Sequence, residues 1–265
     1  MPSVEEVIKA ERDKRMLQQK ERVAENLKGV KRRIAVMSGK GGVGKTTVAV
    51  NIAALLAEKH KVGLFDIDID CPNVGKFLGI TEKVSVDAGN RINPIEKHGM
   101  KVLSMAFLQG DEKQSVIWRG PIISNAILQF MEKTNWGDLD YLFCDMPPGT
   151  SDAALTMIQL VGIDAALIVS TPQTAAITDA RKAIDMCRHM AVPVLGIVEN
   201  MSGFFGSRIE QIAKEEGIHF LGSIELRKDI AELSDLGLLP VKESAEARRI
   251  FEEILNNFPD EYKVK

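Results

Sequence analysis

The run Gly39-Lys40-Gly41-Gly42-Val43-Gly44-Lys45-Thr46-Thr47 constrains this chain more than any other stretch, because it fits the pattern GxxxxGK[ST] and its flanks read as strand and helix. Before it, Arg33-Ile34-Ala35-Val36-Met37 reads as a buried strand; after it, Thr47 to Leu56 reads as a helix. Glycines, lacking a Cβ, let successive backbone N–H groups curl into an anion-binding nest at a helix N-terminus. In such a nest Lys45 reaches the β- and γ-phosphates of a nucleoside triphosphate, and the Thr46 hydroxyl ligates Mg²⁺. The whole run from Gly39 to Thr47 is therefore the candidate phosphate-binding loop.

Downstream, apolar strands alternate with helical stretches. Strands are expected at Lys61 to Asp66, Met100 to Phe107, Asp140 to Asp145, Ala165 to Ser170, Val194 to Glu199 and His219 to Ile224. Helices are expected at Ile122 to Glu132 with Pro121 in the first turn, Thr174 to Met190, Arg208 to Glu216, and Ala245 to Phe258 with Ser244 as N-cap. Near-continuous apolar strands separated by helices imply an α/β fold of three layers, a mostly parallel twisted sheet with helices on both faces. Ligands in such folds bind at the carboxyl ends of the strands. Thr81 to Lys97 and Gln109 to Gln114 read as surface excursions. We expect one P-loop domain over residues 31–265, preceded by a charged helical extension over 1–30.

That extension is basic, with ten Lys/Arg against six Asp/Glu in residues 1–33, whereas the rest of the chain nets −7. The acids interspersed from Val4 to Lys28 favour a solvated, surface or partly frayed helix over a nucleic-acid arm, and an acidic body repels phosphate backbones. No apolar run approaches the roughly 20 residues that span a bilayer, and the amino terminus lacks a secretory signal pattern. Three widely spaced cysteines, Cys71, Cys144 and Cys187, suit no disulfide framework. A cytoplasmic protein with neither nucleic-acid nor membrane partners is the expectation.

Carboxylates gather at two strand ends. Asp66, Asp68 and Asp70 alternate after Leu64-Phe65, sharing one face wherever strand geometry persists, and three like charges there need a cation such as Mg²⁺. Asp70 reads as a solvated carboxylate. The strand Tyr141-Leu142-Phe143-Cys144 ends in Asp145 and the rigid turn Met146-Pro147-Pro148-Gly149-Thr150, which places Asp145 near Mg²⁺ and gives Gly149 a loop able to sense the γ-phosphate.

With Lys40 directly after the first glycine, the loop resembles the deviant Walker A loop of the ATPase group that includes nitrogenase iron protein, the Min and Par positioning ATPases and the Mrp/ApbC iron-sulfur carriers. The resemblance implies a homodimer sandwiching two ATP molecules, with Lys40 acting on phosphate charge in the partner subunit; a solvated loop lysine is the alternative. It also implies that Asp66 helps hold Mg²⁺ through water, that Asp68 orients the attacking water, and that Asn200 bonds the adenine edge, a turn asparagine being the other reading of that residue.

Five segments narrow the resemblance to the Mrp/ApbC family: Asp145 to Asp152, Glu199 to Phe204, Ile117 to Pro121, Ser170 to Gln173, and Gly222-Ser223-Ile224. Members are similar in being ATP-binding dimers that carry a labile iron-sulfur cluster and deliver it to apo iron-sulfur proteins. One departure stands out. In that family a Cys-x-x-Cys pair follows the segment ending at Phe204, and two subunits supply four thiolates to a bridging cluster. Here Phe204 is followed by Phe205-Gly206-Ser207, as though the cysteine hairpin were missing between Phe204 and Phe205. Glu225 stands where the family has proline. Cys144 and Cys187 read as core residues, and a single Cys71 per subunit cannot complete a four-cysteine site. The expected function is that of a Mg²⁺-dependent ATPase switch in iron-sulfur cluster binding and transfer, the alternatives being a Min- or Par-like positioning ATPase and a reductase.

Overall fold

A computed structural model describes residues 3–69, 71–108, 120–149, 151–203 and 206–264. The strands are β1 Val30–Met37, β2 Val62–Asp66, β3 Ser85–Val86, β4 Ile92–Asn93, β5 Ile95–Lys97, β6 Met100–Ser104, β7 Leu139–Asp145, β8 Ala165–Ser170, β9 Val194–Ser202 and β10 Phe220–Glu225. The helices are α1 Val4–Asn26, α2 Lys45–Leu56, α3 Val74–Phe77, α4 Gly120–Lys133, α5 Asp152–Thr156, α6 Thr174–His189, α7 Ile209–Glu216, α8 Lys228–Asp235, α9 Pro240–Glu243 and α10 Ala245–Asn256.

Eight strands form one sheet in the order β10-β9-β8-β1-β7-β2-β6-β5, parallel throughout except at the edge, where β5 runs antiparallel to β6. Alternation within each central strand feeds two cores. Ala35 and Met37 of β1 and Leu142 and Cys144 of β7 face one side, packed with Val23, Ile127, Ile184 and Ile209 from α1, α4, α6 and α7. Ile34 and Val36, with Tyr141 and Phe143, face the other, under Val48, Ile52, Ile230 and Phe251 from α2, α8 and α10. This is the three-layer arrangement that apolar, doubly buried strands require.

Four expectations are revised. The helix before β1 is a surface helix, as expected, but is fastened at both ends: Ser3 and Glu6 form a capping box at its start, and its far end is docked, with Val23 and Leu27 buried. There the Asn26 side chain donates to the carbonyls of Met131 and Thr134 at 2.7 and 2.9 Å. Thr81 to Lys97 is no plain excursion, since it holds the β3–β4 hairpin and edge strand β5, and its Arg91 bonds the side chains of Asn26 and Asn135. The strand expected to reach Phe107 stops at Ser104 and passes into a 3₁₀ turn, Met105–Leu108, because the Ser104 hydroxyl accepts from the Ala106 amide. Helices α3, α5, α8 and α9 were not foreseen. The loop Gln109 to Gln114 lies outside the described residues, as do Ile117, Trp118 and Arg119, Thr150, and Phe204 with Phe205.

Candidate nucleotide site

Three neighbouring strand ends build the site. In register, Val36 of β1 and Asp66 of β2 both pair with Asp145 of β7, so the glycine loop leaving β1 lies beside two carboxylates at the sheet's carboxyl edge. The loop is anchored on each flank. A Cβ on Gly39 would lie 1.9 Å from the Asp179 carbonyl of α6, so only glycine lets the loop press against that helix. Gly149, at φ 75°, donates its amide to the Ser38 carbonyl at 2.9 Å, which ties the turn after β7 to the loop. Gly44 takes φ 80° as the residue that opens α2, directing the chain from nest into helix.

Lys45 and Thr46, the first two residues of α2, converge on one carboxylate. Lys45 Nζ lies 2.7 Å from Asp145 Oδ1, and Thr46 Oγ1 donates to Asp145 Oδ2 at 2.6 Å. Asp145 is fully buried and Lys45 almost so. Asp66, also fully buried, accepts from the amides of Asp68 and Val74 at 3.2 and 3.1 Å and from Ser104 Oγ at 3.0 Å. Burial first, and the adjoining Asp145 carboxylate second, push the Asp66 carboxyl well above the usual carboxylate range.

The alternating aspartates do not share a strand face, since β2 ends at Asp66 and its carboxylate draws the Asp68 amide into a turn. Asp68 remains at the site, buried, accepting from the Cys71 amide at 3.0 Å. Asp70 lies outside the described residues. Lys40 is exposed, like Gly41 and Gly42 after it, whereas Val43 is buried.

Asn200, in β9, is brought to the loop from the far side: its Nδ2 donates to the Val43 carbonyl at 2.8 Å. It also lines a cleft of about 200 Å³ beside Thr47, walled by Phe77, Met201 and Ile224 through Arg227. Two participants escaped the sequence reading. Ser104 carries no motif and is recognisable only once β6 is placed next to β2; Met201, whose φ of 55° is unusual outside glycine, is legible only in the backbone.

Oxygen donors from Thr46, Asp66 and Asp145 in one dry corner suit a hard cation such as Mg²⁺, whose charge would relieve the burial and the mutual repulsion that push the Asp66 carboxyl up. Among the described residues no group of three or more His, Cys, Asp or Glu side chains is poised to hold a metal alone, so phosphate and water oxygens must complete such a shell. The cysteines do not fit a cluster. Cys144 and Cys187 are buried, their thiols pushed up by burial to about 12 and about 11, and Cys71 alone is exposed.

A glycine nest between β1 and α2, with aspartates ending β7, which pairs with β1, and β2, which pairs with β7, defines a P-loop nucleoside-triphosphatase fold. A solved nucleotide-binding protein from Archaeoglobus fulgidus, in complex with ADP, superposes with a TM-score of 0.76 at 35% identity, covering 91% of this chain and 97% of that one. The chain belongs to the family described as NUBPL iron-transfer P-loop NTPases, whose model matches residues 29–258. The iron-sulfur cluster carrier protein of Methanocaldococcus jannaschii is 43% identical over 263 residues, 91% of this chain and 90% of that protein. That of Aquifex aeolicus is 44% identical over 223 residues, 79% of this chain but 61% of the longer relative. MinD from Pyrococcus furiosus, with a TM-score of 0.67 at 22% identity, shares the fold alone. Among the described residues no helix is long and apolar enough to cross a membrane.

Proposed function

We propose that this chain is a Mg²⁺-dependent ATP-binding and ATP-hydrolysing switch that works as a homodimer in iron-sulfur cluster binding and transfer to apo iron-sulfur proteins. The observation that carries the nucleotide half is the convergence of Lys45 and Thr46 on buried Asp145 directly behind the glycine nest. The sequence kinship with carrier proteins supports the other half, and favours it over a Min- or Par-like positioning role.

In this reading the backbone amides from Gly39 to Thr47 hold the phosphates, with Lys45 turning from Asp145 toward the β- and γ-phosphates. Mg²⁺, when bound, neutralises developing phosphate charge, and Thr46, Asp66 and Asp145 are the residues that would hold it, directly or through water. Asp68 orients the attacking water. The cleft beside Thr47 and Asn200 takes the base. No cluster step is assigned to the cysteines present, because two are buried and protonated and the third stands alone.

Calorimetric titration with Mg-ATP, paired with phosphate-release assays, tests the nucleotide reading. The wild-type chain should bind and slowly hydrolyse ATP, and Lys45→Ala should lose at least about a hundredfold in affinity or turnover, as expected for a charge-assisted phosphate contact. Unchanged binding and turnover in that variant would remove Lys45 from the site.

A further inference from the structure

Asn200 is in the right place to meet a base, yet the structure commits its amide elsewhere. The residue is 6% exposed, and Nδ2 donates to the Val43 carbonyl at 2.8 Å. The contact is more than one hydrogen bond. Were Gly44 given a Cβ, that atom would sit 2.0 Å from Asn200 Nδ2 and 3.3 Å from its Cγ, so the carboxamide lies flush on the loop backbone at the residue that opens α2.

For a phosphate nest to work, its N–H groups must point inward and its carbonyls outward. An outward carbonyl buried under side chains needs a donor, or it costs free energy and is drawn toward other arrangements. Asn200 supplies that donor to Val43, the residue just before Gly44 and Lys45. The support behind it is a strand within the sheet. Asn200 pairs with Ile224 within the β9–β10 ladder. Its neighbour Glu199, fully buried, points the other way and accepts from Ser207 Oγ, the amides of Arg208 and Ile209, and Ser223 Oγ, at 2.9, 3.0, 2.9 and 3.2 Å.

We propose that Asn200 is a positioning residue of the phosphate-binding loop: its carboxamide braces the Val43 carbonyl outward and so holds the Val43–Lys45 segment in the conformation that receives polyphosphate, whatever base is attached. The proposal rests on the nucleotide reading above, and differs from base recognition in what it demands of a ligand without a base.

Inorganic tripolyphosphate and ATP, each with Mg²⁺, are titrated calorimetrically into wild type, Asn200→Ala and Asn200→Leu; leucine keeps the shape while removing the donor and adding no charge. Both variants should lose affinity for tripolyphosphate and for ATP by the same factor, about tenfold for one buried hydrogen bond, with the ratio of ATP to ITP affinity unchanged. Tripolyphosphate binding that stays at the wild-type level while ATP binding falls, or a collapse of ATP over ITP preference, would overturn the inference in favour of base recognition. A loss confined to the alanine variant would mean packing alone, and would overturn it too. If wild type binds neither ligand, the nucleotide reading itself fails; if wild type binds both and the variants match it, only the bracing role does.

Discussion

At the scale of single residues, burial divides chemically similar side chains into different roles. Lys45 is sunk against Asp145 while Lys40, five positions earlier in the same loop, is exposed. The carboxylates Asp66 and Asp68 are both buried and differ instead in setting: Asp66 accepts from the Asp68 and Val74 amides and the Ser104 hydroxyl, whereas Asp68 accepts from the amide of the exposed Cys71. Asp68→Asn should therefore retain Mg-ATP binding and slow single-turnover hydrolysis by about a hundredfold, the scale of a lost general-base or water-orienting contact; hydrolysis at the wild-type rate would move that role elsewhere. The cysteines give a second residue-scale expectation. A thiol reagent under native conditions near neutral pH should modify Cys71 alone, and all three only after denaturation, since thiols at about 12 and about 11 are both protonated and covered. The same protonation argues that anaerobic reconstitution with iron and sulfide leaves no four-cysteine bridging cluster on this chain. Recovery of about four irons per dimer with a cysteine-ligated spectrum would contradict it.

At the scale of elements, the ends of helices carry much of the local specificity, and they also mark where sequence reading runs out. The N-terminal regions of α8 and α10 are tied by Asp229, which takes a bidentate pair from Arg227 at 2.9 Å and the Ser244 hydroxyl at 2.9 Å, while Ser244 caps α10 through the Ala247 amide. The Arg227 hydrogen bonds, with Ser244 adding to them, hold the Asp229 carboxyl down at about 2. A carboxyl depressed in the fold stabilises it above the unfolded value of 3.8, and that contribution drains away as pH falls through about 2. Asp229→Asn should thus lower the melting temperature near neutral pH, modestly because a third of the side chain is exposed, and the gap from wild type should close as pH drops from about 4 to 2. A gap that widens on acidification would refute this linkage. Ser244 as N-cap was legible because its residue type and the apolar spacing behind it agree. Helix α8 was missed although it is as long as α7, and α3, α5 and α9 were not legible, being four or five residues long and too short to show a helical period. Strands β3 to β5, two or three residues each, fail for the same reason. The central strands were readable since burial on both faces leaves them apolar at nearly every position, as in β8, where all six residues are buried. Lys45, Thr46, Asp66 and Asp145 could be named from motif and strand-end position, whereas Ser104 and the Asn200–Val43 contact depend on which strands become neighbours, and local pattern does not encode that.

On the scale of the whole molecule, one arrangement points outside the single chain. The sheet's carboxyl edge gathers the loop, both aspartate-ended strands and the turn after β7 into one surface, and Lys40 in that loop is exposed. In the proposed reading Lys45 serves the phosphates from within its own subunit, which leaves the second lysine of the loop to meet phosphate charge presented from another chain. An exposed ammonium contributes little to the fold of its own subunit. Lys40→Ala should therefore leave the melting temperature and Mg-ATP affinity of the monomer close to wild type, yet weaken ATP-dependent dimerisation by about ten- to a hundredfold, the range of one charge-assisted hydrogen bond. Sedimentation velocity with a non-hydrolysable ATP analogue measures it across a concentration series. A wild-type chain that stays monomeric, or a variant that dimerises as tightly as wild type, would leave Lys40 an ordinary solvated lysine. Loss of monomer affinity together with dimerisation would instead place it in its own subunit's nest alongside Lys45.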